Sequence, residues 1–292
     1  MELKSMWKNG RRFVAMGLSL VLLSGTMLLS GCASDGAEST PTPVPTATET
    51  QPAPSESASS DTVTPEDLGL DPEQMDMVKY NIYVEMNNKI VEVLENIYSY
   101  YEVVEYADEF AFVPDSPYSY KYDISPFDSS LVDDAVLVAG MEPAFETLDD
   151  LTVQIAEPMR ALMDTFDEIY SCYDFEDNQY AKAKEFHTVI QANVDTFEAL
   201  AYTYMDAVAV LAVERTQAEE QTMLEEGRTI IYNASHAITV TRELLEECYN
   251  QGVYDDNIQD LDLTPIRPLY EELVATVDAY KAAVEDKNQL MA

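Results

Sequence analysis

Among the residue patterns of this chain, clustered carboxylates most resemble a binding site. One segment close to the C-terminus brings together the oxygen ligands of Asp255, Asp256, Asp260 and Asp262, with Asn257 between them. Carboxylate and amide oxygens are the ligands that Ca²⁺ takes, although this spacing differs from the D-x-[DN]-x-[DN]-G loop of an EF-hand. Acidic residues ahead of a helix also act as solvated caps that favour the helix dipole. Helix caps are the preferred interpretation, and a Ca²⁺ site is the alternative.

Tyrosine is the second unusual residue type, with 19 in the chain. A groove for a sugar or a peptide could be lined by Tyr98, Tyr101, Tyr118 and Tyr120. Tyrosine suits that role because it has an apolar ring and a polar tip. The same side chains could instead seal the edge of a helical bundle, and this is the preferred interpretation.

The residues do not assemble a catalytic set. His187 and His236 fall on different predicted helices, and we expect both to have structural, hydrogen-bonded roles. The chain lacks the GxSxG and HExxH motifs and a Gly-rich phosphate loop, so acyl transfer, zinc proteolysis and nucleotide chemistry lack their usual geometry. We expect no enzymatic activity and no cofactor.

The N-terminus has the layout of a cleaved export signal, residues 1–31. Basic side chains precede an apolar run over residues 13–29, which ends in Leu29-Ser30-Gly31-Cys32. These four residues resemble the lipobox of bacterial lipoproteins, and the resemblance implies that Cys32 is diacylated, with palmitate among the expected acyl groups. Two acyl chains hold a protein at a membrane without a spanning helix. We therefore expect an extracytoplasmic domain anchored to a bacterial membrane through Cys32.

The charge of the chain restricts its partners. The formal net charge is −39, and it becomes −42 without residues 1–31, which hold four of the 16 basic residues and one of the 55 acidic ones. Such a charge repels phosphate backbones and anionic headgroups, so nucleic acid is not expected as a partner. An envelope protein or another cationic partner is favoured, while solubility alone also explains the acidity.

Two cysteines remain beside Cys32. Cys172 and Cys248 lie near the ends of predicted helices. An exported protein can oxidise such a pair, provided that the two Cα atoms lie within about 7 Å. Two buried, reduced thiols are the preferred interpretation, and a disulfide is the alternative.

Composition divides the chain into three parts. The signal peptide is followed by the lipidated Cys32 and a linker to residue 64 that consists almost entirely of Ser, Thr, Pro, Ala and acidic residues. Such a segment cannot build a core, and we expect it to be disordered. Residues 65–292 are enough for one core, and we predict a single acidic domain there.

Helical spacing is the only persuasive periodicity in that domain. We predict an all-α, up-and-down bundle of four to five long helices. The first opens at Asp71-Pro72 and has an apolar stripe formed by Tyr83, Asn87, Ile90, Leu94, Ile97, Tyr101 and Val104. A second helical region covers residues 129–172, with a break at Gly140 and Pro143 and a kink expected at Pro158.

Three further helical faces follow a turn over residues 174–179. The third helix has Phe186, Ile190, Val194, Phe197, Ala201, Tyr204, Val208 and Leu211 on one face. The fourth has Leu224, Ile231, Ile238, Leu245 and either Cys248 or Tyr249. The last opens at Pro265 and has Ile266, Leu269, Leu273, Val277, Tyr280 and Val284. Residues 214–221 contain no strong helix stopper, so continuity of the third and fourth helices stays open.

Several surface patterns resemble the YiiG-like family of bacterial lipoproteins, over residues 78–285. The patterns are Tyr80-Asn81-x-Tyr83, Asn87-Asn88, the run from Tyr180 to His187 with sequence YAKAKEFH, and Gly227. The resemblance implies a helical-bundle envelope lipoprotein without an established activity. No catalytic residue is carried over. The low Lys and Arg content departs from a typical member and puts a shared charged surface in doubt.

Taken together, these features predict a surface-exposed lipoprotein that acts as a non-enzymatic binding or scaffold component of the cell envelope. An extracytoplasmic receptor for a small ligand or a divalent cation is the alternative. Polar residues gathered inside the bundle would favour the receptor, and an apolar patch on its exterior would favour the scaffold.

Overall fold

The computed structural model describes residues 69–104, 108–111, 124–253 and 257–286, and within these ranges the chain is helical with no strand. The six α-helices are α1 (Pro72–Val104), α2 (Ser130–Ala139), α3 (Glu146–Ser171), α4 (Asp177–Glu225), α5 (Thr229–Asn250) and α6 (Leu263–Glu285). A short 3-10 helix, Ile258–Asp260, precedes α6. The predicted all-α class is confirmed. The predicted signal peptide, Cys32 and the predicted linker lie outside the described residues.

Helices α1 to α4 form an up-and-down bundle in which each packs on the next and α1 also packs on α3 and α4. Two contacts show that α1 and α4 are antiparallel. Asp76 pairs with Arg215 near one end, and Tyr100 bonds to His187 near the other.

Helix α1 begins and buries its face as the spacing predicts. The Asp71 carboxylate accepts from the Gln74 backbone N–H at 2.8 Å, and the Gln74 side chain accepts from the Asp71 N–H at 3.1 Å. This reciprocal arrangement is a capping box, with Pro72 at the first helical position. Every residue of the predicted stripe is buried.

The second helical region is divided as predicted. α2 ends at Ala139 and α3 begins at Glu146, so Gly140 and Pro143 lie in the connection. Pro158 lies inside α3. The α2–α3 connection, residues 140–145, supplies groups to the site described below.

Helix α4 is the long central element. Asn178, Gln179 and Tyr180 have positive φ, so right-handed helix begins at residue 181, after the predicted turn. The predicted face is buried from Phe186 to Val208, and Leu211 is partly buried. By length and composition alone α4 could cross a membrane, yet its apolar face packs on α3 and α1 as in the core helix of a bundle.

The third and fourth predicted helices are separate. α4 continues through residues 214–221 and ends at Glu225, and Gly227 follows with φ +72°. The Gly227 N–H donates to the Leu224 carbonyl at 3.1 Å and the Arg228 N–H to the Met223 carbonyl at 2.9 Å. Glycine ends the helix here because it adopts the left-handed conformation without a Cβ penalty.

The buried face predicted for α5 is wrong. Leu224, at the end of α4, is 45% exposed, and on α5 Ile231 and Leu245 are 41% and 45% exposed. α5 instead buries a face formed by Asn233, Ser235, Thr239 and Val240. That face packs on the end of α4 and on α6, and polar side chains of α5 bond to carboxylates on both helices. Seven-residue spacing identifies a common face, but it does not say what that face contacts.

Helix α6 also buries less than its pattern predicts. Its N-terminus is Leu263, two residues earlier than expected at Pro265, and Gly252 with φ +69° follows the C-terminus of α5. Ile266 is buried and the next three predicted positions are partly buried, whereas Tyr280 and Val284 are 39% and 37% exposed.

The molecule therefore has two differently built parts. The main apolar cluster draws its described residues from α1 to α4 and their connections, with none from α5 or α6. α5 and α6 form an antiparallel hairpin, and α5 rests on the end of α4. Ten residues of α4 beyond Arg215 extend about 15 Å, which places this α5–α6 hairpin at the end of the bundle.

The two described cysteines are not joined by a disulfide. Cys172 is buried at the end of α3, with its Sγ 3.3 Å from Asp174 Oδ1. Cys248 on α5 is only partly buried, so the preferred expectation of two buried thiols holds for Cys172 alone.

Candidate functional site

A fully buried lysine forms the first polar site. Lys79 on α1 has no exposed surface, and its Nζ donates to the carbonyls of Met141 and Pro143 at 2.6 and 3.0 Å and to Asp149 Oδ2 at 2.9 Å. Tyr83, one turn further along α1, donates to Asp149 Oδ1. We call Lys79, Tyr83 and Asp149 the Lys79 network. It joins α1, α3 and the α2–α3 connection.

Aromatic rings enclose this network. Phe145 lies 5.8 Å from the Tyr83 ring and 5.4 Å from Lys79 Nζ, and Tyr204 packs edge-on against Tyr83 at 6.4 Å. Burial, followed by the bond to the Asp149 carboxylate, raises the pKa of Tyr83 far above its ordinary value. Burial likewise raises the pKa of Tyr204. Both phenols are therefore protonated at physiological pH, and Tyr83 is a hydrogen-bond donor.

A second polar site holds the α5–α6 hairpin to α4. Glu220 is 7% exposed, and its Oε1 accepts from the Ser235 hydroxyl at 3.1 Å and from the Thr239 hydroxyl at 2.7 Å. Its Oε2 lies 3.0 Å from His236 Nδ1, and His236 Nε2 lies 3.2 Å from Glu272 Oε1 on α6. We call these five residues the Glu220 network.

Tyr232 completes the surroundings of His236. Its ring stacks on the imidazole with centroids 5.3 Å apart and planes 12° from parallel. Burial and the negative charges of Glu220 and Glu272 raise the pKa of Tyr232. The phenol therefore stays neutral beside the two carboxylates.

Glu198 is a separate buried acid on α4, 8% exposed. Burial, together with the nearby charge of Asp195, raises its pKa to about 7. Burial, together with the charge of Glu198, raises the pKa of Tyr202 to about 12. Glu198 therefore changes its charge within the physiological pH range.

The other histidine has a structural position, as expected. His187 is 3% exposed, and its Nδ1 lies 2.6 Å from the Tyr100 hydroxyl. Phe110 packs edge-on against its ring at 6.1 Å. Burial and the adjacent Tyr101 raise the pKa of Tyr100, so this phenol is also protonated.

The predicted cation site is only partly visible. Asp260 lies in the 3-10 helix, and the Asp262 carboxylate accepts from the Thr264 N–H at 2.8 Å, which makes it the N-cap of α6. Hydrogen bonds from the backbone and the side chain of Thr264 lower the pKa of Asp262. Asp255 and Asp256 lie outside the described residues. Within the described ranges, no group of three or more Asp, Glu, His or Cys side chains is arranged to hold a metal ion.

The predicted tyrosine groove is likewise incomplete. Tyr101 is 4% exposed and packs edge-on against Tyr100 at 5.5 Å, while Tyr98 is partly buried. Tyr118 and Tyr120 lie outside the described residues. The position of Tyr101 in the core matches the preferred interpretation of a sealed bundle, and the groove stays a prediction.

Sequence reasoning singled out His236 and missed the charged residues Lys79, Asp149, Glu220 and Glu272. Lys79 lies four residues before Tyr83 and extends the predicted stripe by one turn, so its burial was readable from the spacing. Asp149 lies beside the buried position Leu148 and gives no such signal. Glu220 also gives none, because its burial depends on α5 folding back across α4.

The comparisons with known proteins identify a family. The family model described as a protein of unknown function, DUF3829, matches residues 74–292. The chain belongs to the DUF3829 family. The match covers the six helices of this DUF3829 protein apart from the first two residues of α1, and it supports the resemblance to YiiG-like proteins.

A curated relative carries the YiiG name. The DUF3829 chain is 27% identical over 120 residues to "Uncharacterized protein YiiG" of Escherichia coli (strain K12). The alignment covers 40% of this chain and 34% of the relative, so the chain spans about a third of that protein's length. No solved structure matches this chain.

Replacing Lys79 tests the first network. Lys79→Met should lower the free energy of unfolding by about 3–5 kcal/mol, because it leaves the Asp149 carboxylate, only 14% exposed, and two carbonyls without their cation. Lys281→Met is the matched control, since Lys281 and its partner Asp278 are both largely exposed. The control should lie within about 0.5 kcal/mol of wild type in urea unfolding. Equal effects of the two substitutions would contradict the structural role of Lys79.

Glu198 should make stability depend on pH. Its raised pKa means that the folded state binds a proton more tightly than the unfolded state. The free energy of unfolding therefore falls as the pH rises from about 4.5 to 7. The loss is about 3 kcal/mol relative to Glu198→Gln, which stays neutral. Urea unfolding from pH 4.5 to 8 measures the difference. Asp195→Asn is the control and should keep most of the slope, since burial is the larger cause. Parallel curves for wild type and Glu198→Gln would refute the assignment.

Proposed function

We propose that this protein is a membrane-anchored, surface-exposed bacterial lipoprotein that acts as a non-enzymatic binding or scaffold component of the cell envelope. The apolar surface of the α5–α6 hairpin is the observation that carries this proposal. Lipidation of Cys32 would hold the helical domain at the membrane, with the linker as a spacer.

The hairpin exposes apolar side chains on α5 and on α6. Ile231 and Leu245 lie seven-residue steps away from Ile238 on one face of α5. On α6, Leu263, Tyr270 and Val274 are 55%, 57% and 43% exposed. Exposed apolar side chains that recur along one helix face are a common mark of an interaction site.

Charge indicates the chemistry of the partner. Residues 229–285 carry 11 acidic side chains and three basic ones. An apolar stripe on an acidic hairpin suits a cationic amphipathic helix, whose apolar face packs on the stripe while its basic residues face the carboxylates. Nucleic acid remains disfavoured by the same charge.

The anchor is tested at Cys32. Wild-type protein should fractionate with the membrane and incorporate labelled palmitate, whereas Cys32→Ser should lose both properties, since only the thiol accepts the lipid. Cys248→Ser is the matched control and should behave as wild type. Membrane fractionation of Cys32→Ser without label would refute the lipid anchor.

The partner surface is tested with a model peptide of Leu and Lys that folds as a cationic amphipathic helix. Saturable binding should be measured by fluorescence anisotropy at fixed ionic strength. The double variant Ile231→Glu, Leu245→Glu should weaken binding roughly tenfold or more, because two apolar contacts are lost. Val210→Glu is the control, since Val210 on α4 is 59% exposed and lies outside the hairpin. Equal weakening by both variants would indicate nonspecific charge effects and contradict the proposal.

A receptor for a small ligand or divalent cation is the second candidate. The polar groups buried between α4, α5 and α6 favour it. Thermal unfolding with Ca²⁺, Mg²⁺, Zn²⁺ or a sugar panel tests this function, since a ligand at about 100 times its Kd stabilises by about 2.7 kcal/mol. A saturable rise in the unfolding temperature would support the receptor function. An unchanged unfolding temperature across the panel would contradict it and favour the scaffold function.

A further inference from the structure

We propose that His236, as a doubly protonated imidazolium, latches the α5–α6 hairpin to α4 and makes that attachment pH-sensitive. The imidazole lies between two carboxylates from different helices. Nδ1 is 3.0 Å from Glu220 Oε2 on α4, and Nε2 is 3.2 Å from Glu272 Oε1 on α6. One side chain of α5 thereby joins all three helices.

Both ring nitrogens must donate for both contacts to be favourable. An ionised carboxylate only accepts hydrogen bonds, and a neutral imidazole has one N–H and one lone pair. In either neutral tautomer the lone pair would face a carboxylate oxygen. The imidazolium satisfies both contacts and adds charge-assisted hydrogen bonds to each.

The groups around His236 favour this cation from every packed helix. Glu220 faces it from α4, Glu272 from α6, and Tyr232 stacks on it from α5. Among the described residues, no Lys or Arg forms an ion pair with either carboxylate, so His236 is their cation. An aromatic face also attracts a stacked cation.

The arrangement does not suit a metal ion. The two carboxylates approach opposite nitrogens of one ring, so the three side chains do not converge on a common point. Imidazole and carboxylate ligands of one cation would have to surround it. The geometry therefore points to a proton held on the ring.

Loss of that proton should loosen α6 first. The Glu272 side chain is 50% exposed, whereas that of Glu220 is 9% exposed and also bonds to the hydroxyls of Ser235 and Thr239. A neutral imidazole can still donate to Glu220 through Nδ1, and it then presents a lone pair to Glu272. The main apolar cluster takes none of its described residues from the hairpin, so the Glu220 network contributes to holding the hairpin on α4.

The protonation state is measured by nitrogen NMR of the full-length protein labelled with ¹⁵N-histidine. The chain has two histidines, and His187, which bonds to Tyr100, is the internal comparison. His187→Gln assigns the signals. At pH 5.5 both ring nitrogens of His236 should have imidazolium shifts, and at pH 8 they should separate into a neutral tautomer protonated at Nδ1. A neutral His236 at pH 5.5 would overturn the proposal.

Hydrogen exchange tests the mechanical consequence. After correction for intrinsic rates, amides of α6 should exchange roughly fivefold to tenfold faster at pH 8 than at pH 5.5, while those of α1 change little. Glu272→Gln should make α6 fast already at pH 5.5 and reduce the pH dependence. Glu271→Gln, at the adjacent exposed position, should behave as wild type. Exchange of α6 independent of pH, or equal effects of the two variants, would overturn the latch.

Discussion

The packing of α1 against α3 and the α2–α3 connection depends on the neutralisation of one buried ammonium group. Lys79 has no exposed surface, and isolated burial of such a charge would cost far more than a domain's net stability. Asp149 and two carbonyls of the α2–α3 connection supply the partners. The need to neutralise this charge therefore holds α1, α3 and the α2–α3 connection together. The rings of Phe145 and Tyr83 pack around the buried ion pair.

Helix α4 joins this end of the bundle to the hairpin. Arg215 pairs with Asp76 and lies over the Tyr80 ring at 4.5 Å, beside the Lys79 network. Five residues later Glu220 accepts the hydrogen bonds that hold α5. On α4, Arg215, which flanks the Lys79 network, and Glu220 of the second network thus lie about one and a half turns apart. Lys79 and Tyr83 are fully buried, whereas the His236 and Glu272 side chains of the second network are 23% and 50% exposed.

The helical spacing of apolar residues predicted the buried faces of helices that bury apolar side chains. It did not predict the buried face of α5, which is largely polar. The stripes of α1 and α4 are in the core because apolar side chains at helical spacing have one favourable destination. The stripe of α5 is exposed, since carboxylates on α4 and α6 select the opposite face through hydrogen bonds. Of the site residues, Lys79 was readable from its register with Tyr83, whereas Glu198 and Glu220 were not.

The sequence by itself determined the all-α class, the cap at Asp71, the buried faces of α1 and α4, and the membership of a family of unknown function. These depend on local hydrogen bonding and on periodic burial, which neighbouring residues encode. Only the tertiary structure decided that Asp149 meets Lys79 and that His236 lies between Glu220 and Glu272. Those contacts join side chains that are 16 to 70 residues apart. These contacts pair polar and charged side chains across helices, and no local pattern records such a partner.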